Sequence, residues 1–162
     1  MTMTIERTRQ ASELFYRFEG RFTDVKPIGI VPDGVRMDSY FAGTITEGEL
    51  AGAQLTGVDY FRIRSDGVGI VDGRELLVVN GEHVSVTLSG YVLPPAGLPA
   101  PSAQQLTDPD FAWPDVPMAI EVFATFETGA PALAHLNRTI VAHTGWVNMA
   151  SRGLYVEARR LS

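Results

Sequence analysis

The sequence contains no cysteine, and this absence removes several classes of function. It excludes disulfides, thiol catalysis and cysteine-based zinc sites. The three histidines, His83, His135 and His143, show no HxH or HxxxH spacing, so we predict no metal site. Walker loops, GxGxxG turns and GxSxG elbows are also absent, so no cofactor is predicted.

Basic residues are few, and nearly all of them are arginine. Lys26 is the single lysine among the 13 basic residues, and the formal net charge is -6. Without a basic cluster we expect no nucleic-acid partner. No apolar run approaches the length of a membrane span, and the N-terminus lacks the apolar region of a signal peptide. We therefore expect a cytoplasmic protein without a membrane partner.

What the sequence does contain is a repeated alternation of apolar and polar residues. The segment HVSVTLSGYV (83–92) alternates Val84, Val86 and Leu88 with polar residues. Segments 14–22, 35–45 and 152–161 follow the same period of two, with Tyr16 and Phe18 on one face of the first. Such alternation is typical of half-buried β-strands.

The turn residues between these segments favour an antiparallel arrangement. Asp33-Gly34, Asp66-Gly67 and Asn80-Gly81 each separate two strand-like segments, and such pairs tolerate the positive φ angles of tight hairpins. A sheet of this size has to protect its edges, and closure is the simplest way. We predict an all-β fold, with residues 1–162 forming a single antiparallel β-barrel of eight to ten strands.

Three segments depart from the strand pattern. Residues 1–12 are predicted to be a flexible N-terminal segment. Residues 130–138 (APALAHLNR) are predicted to form a short helix, with Pro131 at its start. Residues 94–117 hold seven of the ten prolines, together with Phe111 and Trp113. This excursion is either a surface loop pinned by its aromatics or a lid over one barrel mouth, in which Trp113 would contact the ligand.

Asp59 is the first candidate site residue, because it lies in GVDYFRIRSDG (57–67) on the same strand face as Phe61 and Ile63. Aspartate is depleted in strands. If this face points inward, burial would raise the pKa of the carboxyl group towards the range that a general acid or base needs. The alternative is a structural role at the barrel rim, where Asp59 would accept backbone N–H groups.

Two further carboxylate positions depend on strand orientation. In MAIEVFATFET (118–128) the apolar face excludes Glu127, unless a bulge at Thr128-Gly129 turns its side chain into the barrel mouth. In GIVDGRELLVV (69–79) either Arg74 or Glu75 must point inward, because adjacent residues alternate. An inward Arg74 would pair with Asp59, either as a structural pair or as an anchor for a substrate carboxylate or enolate.

The order of several segments resembles domain-of-unknown-function family 3237, an uncharacterised (UPF) family of small bacterial proteins. The resemblance covers the chain from about Phe15 and is strongest in GVDYFRIRSDGVGIVDGREL (57–76), FATFETGAPALAHLNR (123–138) and HTG (143–145). It implies a calycin-like β-barrel that assembles as a homodimer or larger homo-oligomer, and no assigned reaction. The polar residues of the pattern fall on Asp59, Asp66, Arg74, Glu127 and Asn137, and His135 stands where an aromatic is usual.

These observations favour an enzyme that needs no cofactor and acts on a small, largely apolar metabolite, as an isomerase, a lyase or hydratase, or a cyclase. Asp59 or Glu127 would be the base, and His135 could transfer protons. Arg74, Asn137 or Tyr91 would hold the ligand and stabilise negative charge. The alternatives are a barrel that binds a small molecule without catalysis, and an oligomeric structural barrel with a filled interior.

Overall fold

Eight strands form one closed sheet in the computed structural model, which describes residues 13–161. The segment predicted to be flexible, residues 1–12, lies outside the described residues. The strands are β1 (Leu14–Val31), β2 (Gly34–Gly48), β3 (Gln54–Ile63), β4 (Gly69–Val79), β5 (Glu82–Val92), β6 (Met118–Glu127), β7 (Ile140–Val147) and β8 (Gly153–Arg160).

Each strand pairs antiparallel with the next, and β8 closes the barrel by pairing with β1. Closure gives every described strand a neighbour on both sides, which is the physical reason that an antiparallel meander of this length forms a barrel. Residues 24–31 of β1 extend beyond β8 and pair only with β2. The predicted all-β barrel is confirmed, and its eight strands fall within the predicted range.

The hairpin between β4 and β5 illustrates how the turns follow from the sequence. Val79 pairs with Glu82, which leaves Asn80 and Gly81 as a two-residue loop. Both have positive φ angles, 49° and 82°. Asparagine and glycine tolerate this region best, and the resulting turn matches the twist of the two strands. The predicted Asn80-Gly81 hairpin is confirmed.

The barrel core comes from the alternating apolar residues. In β5, Val84 and Val86 are fully buried, whereas His83, Ser85 and Thr87 are exposed. The same rule puts Val156 and Ala158 of β8 inside the barrel. Burial of these side chains is the main favourable contribution to folding.

A 3₁₀ helix covers one end of the barrel, which we call the helix end. The helix spans Pro131–Arg138, connects β6 to β7 and begins with its proline, as predicted. Leu136 has no exposed surface and packs into the core. The predicted short helix is therefore present, in 3₁₀ form.

The proline-rich excursion 94–117 connects β5 to β6 at the opposite end, which we call the loop end. It contains a five-residue helix, α1 (Ala103–Thr107), that the strand analysis did not predict. Ser102 and Gln105 form a capping box at its start, and this pair was the available sequence signal. Leu106 and Trp113 pack against the core, so the segment is attached to the barrel. A lid function for it stays a prediction.

Among the described residues, neither helix is long and apolar enough to cross a bilayer.

Candidate functional site

A cavity of about 70 Å³ lies inside the barrel and extends from its middle towards the loop end. One buried water needs roughly 10–15 Å³, so this space holds more than a single water molecule. Its lining is mainly apolar: four phenylalanines (Phe18, Phe22, Phe41 and Phe61) and aliphatic side chains of β3 to β8. Five polar residues also line it: Tyr16, Ser39, Asp59, Glu75 and His143.

Asp59 occupies the cavity wall at an interruption of the ladder between β3 and β4. Asp59 pairs with Gly73, and the next pair in the ladder is Arg62 with Ile70. In this gap the carboxylate of Asp59 accepts the backbone N–H of Asp72 at 2.9 Å. On its other side Asp59 faces Ser39 of β2, which is buried.

Burial is the main reason that the pKa of Asp59 is raised from 3.8 to about 7. The hydrogen bond from Asp72 lowers this pKa, and the nearby charges of Asp72 and Asp38 raise it. An apolar environment disfavours the charged form of a carboxyl group. Asp59 therefore points into the barrel and titrates near neutral pH. It also accepts a backbone N–H, which is the contact that the structural alternative expected.

Glu75 is the second carboxyl group in the cavity. Glu75 pairs with Gly57 of β3, two positions before Asp59, so the two carboxyl groups are diagonal neighbours on the inner face of the sheet. Only 8% of the surface of Glu75 is exposed. Its Oε2 atom is buried and makes no hydrogen bond within the described residues. Burial, followed by the charge of Asp59, raises the pKa of Glu75 from 4.5 to about 8.

Tyr16 and His143 form a hydrogen-bonded pair inside the barrel. Both residues pair with Ala158 of β8, from β1 on one side and from β7 on the other. Because the alanine side chain is small, the Tyr16 hydroxyl reaches Nε2 of His143 at 2.5 Å. The two rings pack edge to face, with centroids 5.5 Å apart.

The protonation of this pair follows from its burial. Burial lowers the pKa of His143 to about 4, so the imidazole is neutral at pH 7. Burial, and then the charge of Glu75, raises the pKa of Tyr16 well above its ordinary value, so the phenol keeps its proton. The pair therefore carries no net charge, and the proton of the phenol lies in the hydrogen bond between the two side chains.

Arg74 lies on the outer surface, so the alternative in which it points inward to Asp59 is wrong. Its guanidinium pairs with Asp72 at 2.8 Å. The inward residues of β4 are Gly69, Val71, Gly73, Glu75, Leu77 and Val79. The pattern misled because the outer face of β4 also carries an apolar side chain, Leu76, which is 41% exposed.

Glu127 and Tyr91 also lie outside the cavity. Glu127 is exposed at the end of β6, so the bulge that would turn it into the barrel mouth does not form. Tyr91 is exposed on β5, where the guanidinium of Arg64 lies 5.9 Å from its ring centre.

The remaining predicted site residues lie in the connections at the two barrel ends. His135, in the 3₁₀ helix, pairs with Glu49. Asn137 accepts the backbone N–H of Thr128 at 2.8 Å and donates to its carbonyl at 2.9 Å, which holds the turn after β6. Trp113 packs at the loop end, beside Phe61. Of the predicted set, only Asp59 lines the cavity.

Sequence reasoning left Glu75 open as the inward alternative to Arg74 without giving it a role in the site. It missed His143, Ser39 and the role of Tyr16. The available signal was strand alternation: Tyr16 shares a face with Phe18, and Ser39 lies between Met37 and Phe41 on the inner face of β2. His143 likewise follows Val141 on the buried face of β7. Among residues 13–161, no group of three or more histidine and carboxylate side chains is arranged as metal ligands.

The fold and the site together define a closed antiparallel β-barrel with a small internal cavity and a buried cluster of polar residues. The chain belongs to a family described as protein of unknown function (DUF3237), whose model matches residues 11–158. This confirms the resemblance seen in the sequence. No curated protein matches the chain.

Solved structures of low sequence identity share the fold. A β-barrel-like protein from Acinetobacter baumannii is 23% identical, with a TM-score of 0.71 over 93% of this chain and 95% of its own. A conserved protein of unknown function from Rhodopseudomonas palustris is 19% identical, with a TM-score of 0.72 over 98% and 99%. A protein of unknown function from Clostridium acetobutylicum is 15% identical, with a TM-score of 0.69 over 93% and 98%. At these identities the likeness establishes the fold alone.

Proposed function

We propose that this protein is an enzyme that moves protons on a small, largely apolar molecule held inside the barrel. One observation carries the proposal: the half-buried Asp59, the buried Glu75 and a tyrosine–histidine pair line the same apolar cavity. Buried titratable groups that converge on a cavity are typical of catalytic sites.

The two carboxyl groups suit opposite roles at neutral pH. Asp59 accepts the backbone N–H of Asp72, which favours its ionised form. Oε2 of Glu75 has no such donor among the described residues, and the charge of Asp59 raises the pKa of Glu75, which favours its protonated form. Asp59 is then the general base and Glu75 the general acid. Catalysis is efficient when such groups titrate near the working pH, and environments that separate two pKa values assign the two roles.

The reaction type that fits this set is proton abstraction next to a carbonyl group. Asp59 would take a proton from carbon, and the electron pair would move to the carbonyl oxygen. Protonated Glu75 and the Tyr16 hydroxyl would donate hydrogen bonds to that oxygen as negative charge develops. Return of the proton from Asp59 to another carbon gives an isomerase, and loss of a leaving group gives a lyase.

The size of the cavity supports a bound molecule over a filled, purely structural interior. A cavity of about 150 Å³ holds benzene, so about 70 Å³ encloses a smaller group, of about two or three carbons. Phe22, Met149 and Leu154 line the cavity towards the loop end and are half-buried there, so a longer ligand would extend past them.

Hydrogen–deuterium exchange at carbon tests the proposal. Acetone fits the cavity in size and butanone is one carbon longer, and loss of their α-proton signals in D₂O is followed by ¹H NMR at pH 7.5. The wild type should exchange both faster than buffer, and Asp59→Asn should return the rate to that of buffer. Glu121→Gln, on the exposed face of β6, is the control and should keep the wild-type rate. No acceleration with either ketone, or full activity of Asp59→Asn, would overturn the proposal.

A further inference from the structure

The charges in the cavity are unbalanced. Asp59 and Glu75 both line it, and among the described residues no arginine or lysine does. The arginines on the neighbouring outer faces have carboxylate partners of their own. Arg74 pairs with Asp72 at 2.8 Å and Arg36 with Asp38 at 2.9 Å. A buried carboxylate needs a partner or a proton, and here residues 13–161 supply no positive partner.

One atom in the cavity lacks the hydrogen bond that its burial demands. Oε2 of Glu75 is fully buried and unpaired within residues 13–161. Buried polar atoms are nearly always hydrogen-bonded, and each exception needs an explanation. An N–H or O–H group of a ligand would satisfy this atom whenever it carries the negative charge.

The apolar part of the lining also suits a positive charge. Four phenylalanine rings surround the cavity together with Tyr16. Aromatic faces attract cations, most strongly where water is excluded. Carboxyl groups beside several aromatic rings therefore favour the binding of an organic ammonium ion over that of an anion.

The geometry points to a small aliphatic amine as the ligand class, bound as its ammonium ion between Asp59 and Glu75 with its hydrocarbon part against the phenylalanine rings. This inference rests on the proposed function only in placing the substrate in the same cavity. The ammonium group would donate to Oε2 of Glu75 and to the carboxylate of Asp59. An anionic ligand of the same shape would be repelled by each of the two groups when that group is ionised.

The pH dependence of binding distinguishes an amine from a neutral ligand. The groups that face Asp59 and Glu75 are Tyr16 from β1, Ser39 from β2 and neutral His143 from β7, and β5, β6 and β8 contribute apolar side chains. On the outer face, the charges of Asp38 and Asp72 act on Asp59 through the barrel wall. An alkylammonium group stays charged up to a pH of about 10.

Ionisation of the two carboxyl groups therefore controls the affinity for an amine. Both are protonated at pH 5 and increasingly ionised by pH 8. A positive ligand favours the ionised forms, so its binding strengthens with pH and releases protons. A neutral alcohol has no such preference.

Three probes of nearly equal shape test the inference: propylamine, propanol and butyrate. Binding is followed by NMR titration of the methyl signals of the wild type at pH 5 and pH 8. At pH 8 we expect the amine to bind at least 10-fold more tightly than the alcohol, with no binding of butyrate. At pH 5 the advantage of the amine should fall at least 5-fold. This comparison needs no variant, so it does not depend on the folding of a mutant.

Variants then identify the groups responsible. Glu75→Gln and Asp59→Asn should each lose most of the preference for amine over alcohol, and the exposed Glu121→Gln should keep it. Equal binding of amine and alcohol at pH 8, or a preference that does not change with pH, would overturn the inference. Ketone exchange is measured separately. If the protein accelerates exchange but does not prefer the amine, the proposed function stands and the inference fails. If it prefers the amine but does not accelerate exchange, the proposed function fails and the protein is a binding protein.

Discussion

Replacement of Glu75 by glutamine should change how the stability of the protein depends on pH. Burial raises the pKa of this carboxyl group from 4.5 to about 8. The folded protein therefore holds a proton that the unfolded chain has already lost at pH 7. Stability rises with pH where the unfolded state binds more protons, and here the folded state binds more. The contribution of Glu75 is greatest below pH 4.5, is lost as the pH rises to about 8, and then stays constant.

The magnitude follows from the size of the pKa change. One pKa unit corresponds to about 1.4 kcal/mol, so the full change is about 5 kcal/mol, of which about 4 kcal/mol falls between pH 5 and pH 9. Relaxation of the barrel wall and entry of water reduce this figure, and we expect about 2–4 kcal/mol. Glutamine has nearly the same shape and no charge. We therefore compare the free energy of unfolding of the variant with that of the wild type at each pH. Between pH 5 and pH 9 this difference should shift in favour of the variant by that amount.

Urea unfolding followed by tryptophan fluorescence at pH 5, 6, 7, 8 and 9 measures this difference, with Trp113 and Trp146 as reporters. Ionic strength is held constant. Glu121→Gln is the matched control, because its side chain is exposed on β6, and its stability should run parallel to that of the wild type. Parallel curves for Glu75→Gln and the wild type would refute the view that Glu75 is buried without a positive partner.

Three further predictions concern other parts of the molecule. Asp59→Asn removes a charge that raises the pKa of Glu75, so the ¹³C carboxyl signal of Glu75 should titrate below pH 8; an unchanged midpoint would contradict their interaction. Arg74→Ala should leave ketone exchange unchanged, because its guanidinium lies on the outer surface; a lost rate would show that it reaches the cavity. Asn137→Ala removes two hydrogen bonds to the backbone of Thr128 and should lower the free energy of unfolding by about 1–2 kcal/mol, measured in urea; no change would contradict a structural role.

Much of the fold was predictable because its signals are local. The alternation in β5 and the Asn80-Gly81 turn each depend on neighbouring residues, and both appear in the structure as predicted. The orientation of β4 was harder to predict. Ile70, Leu76 and Val78 make its outer face nearly as apolar as its inner one, so the period of two does not show which face is buried.

The candidate site was predictable only in part, because some of its residues meet through contacts that are distant in the sequence. Asp59 was predictable as a candidate site residue because a carboxylate on a strand face with Phe61 and Ile63 is unusual. Tyr16 and His143 are 127 positions apart, and nothing in their local sequences links them. They meet because β8 lies between β1 and β7 in the closed sheet.

The sequence by itself determined the strands, the tight turns between them and the set of residues that share each strand face, because these properties depend on neighbours along the chain. The tertiary structure decided which face of β4 is inside, and so placed Glu75 rather than Arg74 beside Asp59. It also decided that β1 meets β8, which brings Tyr16 to His143. Both outcomes depend on how many strands close the barrel and on their register, which are properties of the whole sheet.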